Sequence, residues 1–312
     1  MPHSYDFEPL SSLTNLATLG VTDECFWFES FWRPFQNIAS LNRVLSHYSR
    51  YRDAARRHAS LMPKTVRALE AQDYEERTLF EPGTSPPAEV ARLRDLKITL
   101  TGEAVVQLSH LTLLEHLRLT VRLDWMGSLD DVLPHLSLMQ TLDIKLSHLH
   151  EFRWLNYHYG RLSLSGSSLE GMAELRALSL ECVDVDDQLF HHLASKERLT
   201  KLEFVGAEYM NYTRSFLSQV NQLTGLLELR LEMWHSCNVC RVLCPRRLSK
   251  LKRLDVSGTE EQLVSLRNRF ANMKVLINPE ESPWCSRLDT SSWIPSLADD
   301  DHDFFRGYEE CY

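Results

Sequence analysis

Nine residues, LTLLEHLRL at 111–119, place leucines at 111, 114, 117 and 119. Spacings of three, three and two fit neither a helix, which recurs at three and four, nor a strand, which recurs at two. The same mixed rhythm returns in LTNLATLGV (13–21), VARLRDLKI (90–98), LSLMQTLDI (136–144), MAELRALSL (172–180), KERLTKLEF (196–204), LTGLLELRL (223–231) and LSKLKRLDV (248–256). With the residue that opens the final apolar pair as a marker, the copies fall at Leu19, Leu96, Leu117, Leu142, Leu178, Leu202, Leu229 and Leu254. From Leu96 onward the steps are 21, 25, 36, 24, 27 and 25 residues. A recurrence of this length is the signature of a solenoid, in which one unit exposes an apolar face that the next unit buries. Degenerate copies, each short of a leucine, extend the series: NIASLNRVLS puts a marker at Val44, PKTVRALEA at Leu69 and RFANMKVLI at Leu276.

This pattern resembles the leucine-rich-repeat (LRR) family, whose unit reads LxxLxLxx(N/C)xL, over residues 10–278. The resemblance implies an α/β solenoid, a horseshoe with short parallel strands on the concave face and helices outside. The family's asparagine or cysteine does not follow the strands here: Val183 stands in that place after Leu180, with Cys182 one position early. An irregular solenoid is therefore expected over 1–278, with degenerate N-terminal repeats at 26–90 and an acidic, disordered tail at 279–312. The segments between repeats read as amphipathic helices. GTEEQLVSLRNRF has Thr259 and Gln262 in a capping-box arrangement and a Leu263, Leu266, Phe270 stripe. DDQLFHHLA, SLDDVLPHL and RSFLSQVNQL read likewise.

The length of 312 residues alone would suggest about two domains, but a solenoid grows in one dimension. No stretch approaches the roughly 18–20 apolar residues of a membrane span, so no membrane role is expected. The opening MPHSYDFEPL has neither a basic region nor an apolar run. Seven cysteines at irregular spacings fit reduced thiols. Together these imply a cytoplasmic or nuclear protein and an Asn211–Thr213 sequon that stays unglycosylated. The net charge of −9 is uneven: residues 280–312 hold nine acids against Arg287 and Arg306, whereas residues 30–67 hold eight bases against Asp53. Solvated surface accounts for both stretches. The sharper alternative is nucleic-acid binding by Arg50, Arg52, Arg56 and Arg57, which an acidic whole disfavours.

His235, Cys237, Cys240 and Cys244 offer the ligand types of zinc. All four lie in one short segment, where structural zinc sites draw on separated pairs, and packing cysteines account for them. No metal and no cofactor is assigned. His148 and His150 are read as surface histidines. There is no GxGxxG, GxxxxGK[ST], HExxH or GxSxG motif. The pairs Asp130/Asp131 and Asp186/Asp187 are read as carboxylates at helix starts. No catalytic residue is assigned, and the chain is expected not to be an enzyme.

Function in a solenoid is expected on the concave strip. The partner-binding candidates there are Arg118, Asp143, Lys145, Glu181, Lys201, Glu203, Arg230, Glu232, Arg253 and Asp255, in a polar strip that turns acidic from 179 to 232. A second candidate is the long step from Leu142 to Leu178, where Phe152, Trp154, Tyr157 and Tyr159 are of the types that anchor interfaces. The alternative is that they fill the core of one irregular repeat. FWFESFWRPF (26–35) reads as a cap helix or a docking surface. The irregular repeats, reduced cysteines and absence of a leader are similar to the repeat regions of fungal F-box/LRR proteins. That resemblance implies substrate recognition for a cullin-type ubiquitin ligase through a Skp-type adaptor, although no LPxE-like F-box start is recognisable. Repeats beginning at Leu10–Val21 without a cap lead to the expectation that residues precede them. The expected partner is a protein, with an LRR inhibitor or GTPase activator as the alternative role.

Overall fold

The computed structural model describes residues 8–22, 29–47, 60–72, 85–100, 102–122, 127–147, 162–186, 188–205, 218–232, 242–256, 260–271 and 276–279. The repeats form one parallel sheet of eleven strands. These are β1 (Thr18–Thr22), β2 (Arg43–His47), β3 (Ala68–Gln72), β4 (Asp95–Leu100), β5 (His116–Arg122), β7 (Thr141–Ser147), β9 (Ala177–Glu181), β11 (Lys201–Val205), β12 (Glu228–Glu232), β13 (Arg253–Val256) and β14 (Leu276–Pro279). They stack in chain order, and the markers lie side by side: Leu19, Val44, Leu69, Leu96, Leu117, Leu142, Leu178, Leu202, Leu229 and Leu254 are successive register partners. The degenerate repeats at Val44 and Leu69 are thus full members of the stack. The last marker is displaced: Leu254 pairs with Ile277, not Leu276. The run Val275–Leu276–Ile277 is apolar at every position, so alternation cannot choose a phase there, and backbone pairing decides.

The mixed rhythm now has its cause. Marker and marker-plus-two residues point to one side of each strand because side chains alternate. Leu117, Leu119, Leu142, Ile144, Leu178, Leu180, Leu202, Phe204, Leu229 and Leu231 are all buried, as are the leucines three and six residues upstream, such as Leu114 and Leu111. Each such side chain contributes about 1.5–3 kcal/mol on leaving water. Strands repeat at about 4.8 Å, whereas the return segments carry wider helical turns, up to about 10 Å across for an α-helix. The stack therefore bends with the sheet on its concave side.

The convex side departs from expectation. Four helices, α1 (Glu29–Trp32), α2 (Ala88–Ala91), α3 (Gly102–Val105) and α4 (Leu189–Ala194), are single turns or little more, and α5 (Glu260–Arg269) is the longest among the described residues. The α4 and α5 segments are helical as read, with Leu189, Phe190, Leu193, Leu263, Leu266 and Phe270 buried. SLDDVLPHL instead forms a 3-10 helix at Leu133–His135, with Pro134 in its first turn; of RSFLSQVNQL the described part holds a 3-10 helix at Gln219–Gln222, and its first four residues lie outside the described ones. A repeat step near 25 residues leaves little chain for a full helix once strand and lead-in turn are made. Thr259 lies outside the described residues, so the capping box does too. Of the aromatic stretch 26–35, Phe26, Trp27 and Phe28 lie outside the described residues, whereas Phe31, Trp32 and Phe35 are buried and offer no docking face, with Phe31 ring centroids 5.1 Å from those of Trp32 and of Phe35. They fill the volume behind β1 and β2 that leucines fill elsewhere.

A second, three-stranded sheet runs along one flank: β6 (Gly127–Ser128), β8 (Leu162–Leu164) and β10 (Asp184–Val185), in the order β10-β8-β6. It absorbs part of the 36-residue step, with Leu162 and Leu164 buried. The carboxylates read as helix-start residues serve their neighbours here. Asp130 Oδ1 accepts from Ser165 N at 2.7 Å and Ser168 Oγ at 2.6 Å. Asp186 Oδ1 accepts from Gly166 N at 3.0 Å and from Gln188 N at 3.1 Å, and its Oδ2 accepts from Ser165 Oγ at 2.7 Å. One turn, 165–169, is thereby clamped by the repeats on either side. Burial pushes the Asp130 carboxyl up, but its hydrogen bonds with Ser128, Ser168 and Ser165 outweigh that and leave it below the usual aspartate value.

Gly166 sits in this clamp because nothing larger fits. A Cβ there would fall 2.6 Å from Leu189 Cα and 2.7 Å from Leu189 N, both backbone atoms of α4. Gly166→Ala should lower unfolding free energy by about 1–3 kcal/mol in denaturant titration. An unchanged midpoint would show that α4 is free to move away.

Candidate recognition surface

Strand residues before, between and after the two buried positions face the concave side. The middle row reads Glu70, Lys97, Arg118, Asp143, Ser179, Glu203, Arg230 and Asp255 in unbroken register. Many of the charges on this face are paired. Arg118 Nε donates to Asp143 Oδ2 at 2.9 Å and Lys145 Nζ to Glu181 Oε1 at 2.6 Å, each across neighbouring strands. Lys201 pairs with Glu203 at 2.8 Å along β11, and Arg253 Nε with Asp255 Oδ2 at 2.8 Å along β13. Opposite charges directly facing across strands are favourable, and exposed pairs contribute about 0.2–1 kcal/mol each.

Most sequence-predicted residues thus share one face, with two qualifications. Asp255 is buried at 5% exposure, so it supports Arg253 and is not a contact residue itself. The acidic bias from 179 to 232 is partly cancelled, because Glu181 and Glu203 are held by lysines. Arg230 is half-buried, in register between Glu203 and Asp255, and Glu232 follows Leu231 at the end of β12. The aromatic candidates Phe152, Trp154, Tyr157 and Tyr159 lie outside the described residues, as do His148, His150, His235, Cys237 and Cys240. So do Arg50, Arg52, Arg56 and Arg57. Cys244 is a free thiol whose backbone N–H donates to Asn221 Oδ1 at 2.6 Å. Among the described residues no group of three or more His, Cys, Asp or Glu is placed to hold a metal, and no helix is long and apolar enough to cross a membrane.

The sequence reading missed the N-terminal end of the strip. Glu70 receives Lys97 Nζ and, at 3.4 Å, Arg43 Nη2. The hydrogen bond from Lys97 holds the Glu70 carboxyl below the ordinary glutamate value, against an opposing push from burial and with help from Arg43. The 25-residue steps between markers were the available signal, since they place Arg43 and Glu70 beside the same two columns. A cavity of about 480 Å³, lined by Ser11, Thr14, Arg33, Pro34, Asn37, Ile38 and Ala39, is formed by the lead-in and return segments of the first repeats, away from the strip.

No family model matches the chain, and no curated protein does. Among solved structures it is similar to the internalin InlF of Listeria monocytogenes, with 16% identity and a TM-score of 0.40 over 87% of this chain and 63% of that one. It is similar to TLR13 in its complex with ssRNA13, with 17% identity and a TM-score of 0.45 over 82% of this chain and 38% of that one. The internalin InlC2 of Listeria monocytogenes gives 16% identity and a TM-score of 0.39 over 72% and 83%. The chain thus spans less than two thirds of the first two structures. Its own parallel sheet and stacked leucine shells make it a leucine-rich-repeat solenoid.

The Glu70 carboxylate should register in stability against pH. Its folded pKa is depressed, so its contribution is present above the unfolded value, near ~4.3, and is lost as pH falls through the folded one. Glu70→Gln should therefore cost up to about 1 kcal/mol at neutral pH, a difference that disappears in strong acid. An equal deficit at every pH would mean that packing, not charge, is what the substitution removes.

Proposed function

We propose that this chain is a protein-recognition scaffold whose concave face docks a protein partner. The observation that carries the reading is a polar face of ion pairs, some across neighbouring strands and some along one strand. A rigid parallel sheet holds these charges in a fixed two-dimensional pattern, and electrostatic complementarity of that kind gives selectivity more than raw affinity. The contact residues assigned to it are Arg118, Asp143, Lys145, Glu181, Lys201, Glu203, Arg230, Glu232 and Arg253. Arg43, Lys97, Arg118, Lys145, Lys201 and Arg253 face carboxylates already, which favours a protein over a phosphate backbone. The free thiols of Cys182 and Cys244 support action in the cytoplasm or nucleus. The finer reading, substrate recognition for a cullin-type ligase, rests on the resemblance of the repeats alone.

A photo-crosslinking residue at Ser179, in the middle of the face, should capture a partner in the protein's own cells, whereas one at Ser249 should not. Crosslinks from position 249 with none from 179 would move the site off the sheet. Joint Glu181→Lys, Glu203→Lys and Glu232→Lys substitution should weaken the captured partner at least about tenfold with an unchanged melting temperature. Recovery of a Skp-type adaptor and a cullin decides for the ligase reading, and a partner without them decides against it.

A further inference from the structure

The segment leading into β13 differs in charge from its counterparts in the other repeats. RRLSKLKR, residues 246–253, holds five bases and no acid, whereas the same eight places before the other markers nowhere exceed a charge of +2. Leu248 and Leu251 are buried, so the turn is anchored in the core and the bases around them are held outward. Arg246, Arg247, Lys250 and Lys252 are exposed, on the rim where the chain enters the sheet. Rim cations elsewhere are answered by a carboxylate of a neighbouring repeat, Arg94 by Glu115 and Arg198 by Glu174. Among the described residues no carboxylate pairs with these four, and Arg253, the fifth base, is paired with Asp255. The lead-in segments on either side, 221–227 and 268–275, contain no acid that could answer them.

We infer that this basic ridge is a docking surface distinct from the concave face, and that its occupant is the chain's own acidic segment, residues 299–310. That segment holds Asp299, Asp300, Asp301, Asp303, Glu309 and Glu310 against Arg306 alone, a charge opposite in sign to the ridge and similar in size. It is tethered close by. Leu276 is the register partner of Arg253, so β14, ending at Pro279, lies one strand away from the ridge. The nineteen residues 280–298 can span up to about 65 Å, several times what is needed to return along a four-residue strand of roughly 13 Å. A tethered ligand meets its site at an effective concentration of roughly millimolar, so ion pairs too weak to hold a free peptide suffice. An external polyanion would have to displace this segment and approach a chain of net charge −9, which favours the chain's own acids over a nucleic acid.

The inference is independent of what the concave face binds. Carbodiimide treatment of the full chain joins a lysine amine to a carboxylate in direct contact, and at low salt it should link Lys250 or Lys252 to acids of 299–310. In a mixture of isotope-labelled and unlabelled protein the links should lie within one copy, and they should be lost at about 0.5 M salt, where surface pairs are screened. Neutralising the segment by Asp299→Asn, Asp300→Asn, Asp301→Asn and Asp303→Asn leaves the repeats untouched and should free the ridge. That variant should bind a synthetic peptide of residues 297–312 at least about tenfold more tightly than the wild type does, and adding Arg246→Glu and Lys250→Glu should abolish the gain. Circular dichroism checks that the ridge variants fold, and the comparison of wild type with the neutralised segment stands without them. Absence of links from Lys250 and Lys252 to the segment overturns the proposal. So do links found only between copies, or equal peptide affinity for wild type and the neutralised variant. A single-stranded RNA probe held by the ridge equally in both proteins overturns it as well, and would make the ridge a nucleic-acid surface.

Discussion

Among the described residues nine backbone carbonyls hold the stack. In the turn leading into each strand, the carbonyl two residues before the marker accepts two N–H groups of the next repeat. Ala17 O takes Asn42 and Arg43, Asn42 O takes Arg67 and Ala68, and Arg67 O takes Arg94 and Asp95. The same fork recurs at Arg94, Glu115, Gln140, Arg176, Thr200 and Leu227, at 2.7 to 3.2 Å. A carbonyl has two lone pairs, so both are used, and donors that would otherwise be orphaned at the strand entrance are satisfied. The fork also fixes register. Once it forms, the markers must fall side by side, and a one-residue slip would turn every leucine toward solvent.

Past the strands the chain does without the asparagine of the repeat unit it resembles. Where that residue would stand after β9, Val183 is buried in the core and Cys182 takes a φ of 58°. Left-handed backbone costs a non-glycine residue about 1–2 kcal/mol. The Cys182 N–H is placed by it against Val205 O at 2.8 Å, tying one repeat to the next. Elsewhere isolated side chains do similar service. Asn221 Nδ2 donates to Ser218 O and Val242 O while its Oδ1 accepts from Cys244 N. Lys196 occupies a place that is apolar in the other repeats. Its stem is buried and its Nζ reaches Glu170 O at 2.6 Å. Burial lowers its pKa, partly offset by the Glu170 charge.

These particulars decide how much was legible. The strands and their stacking were readable down to Val44 and Leu69, because burial of one strand face leaves an apolar period that survives loss of a leucine. The forks were not readable. Their carbonyls belong to Ala, Asn, Arg, Glu, Gln, Thr and Leu, and a backbone acceptor imposes no residue type. The flank sheet was invisible for a related reason: β6 and β10 are two residues each, too short for any alternation. Helix periodicity misled at Leu133–His135, since apolar spacing reports which side is buried and not how tightly the turn is wound. On the concave face, alternation identified which residues point outward. It did not show that Asp255 is buried, because strand phase reports neither that burial nor the ion pair with Arg253.

Pairing shapes what the concave face is suited to bind. An unpaired array of cations would attract any polyanion, with salt-dependent and unselective affinity. Here the Arg118–Asp143 and Lys145–Glu181 pairs lie on adjacent strands, so plus and minus alternate over distances of one strand spacing. At physiological ionic strength such fields cancel within about 8 Å. A ligand gains little from long-range steering and must match the pattern at contact, offering its own donors and acceptors to groups that already have partners. A mismatched one leaves desolvated charges unsatisfied, a cost far larger than the worth of any single exposed pair. On the proposed reading, selectivity lies in the register of the strands. Because the backbone forks set that register, the interactions that hold the solenoid together also position the charge pattern of the concave face.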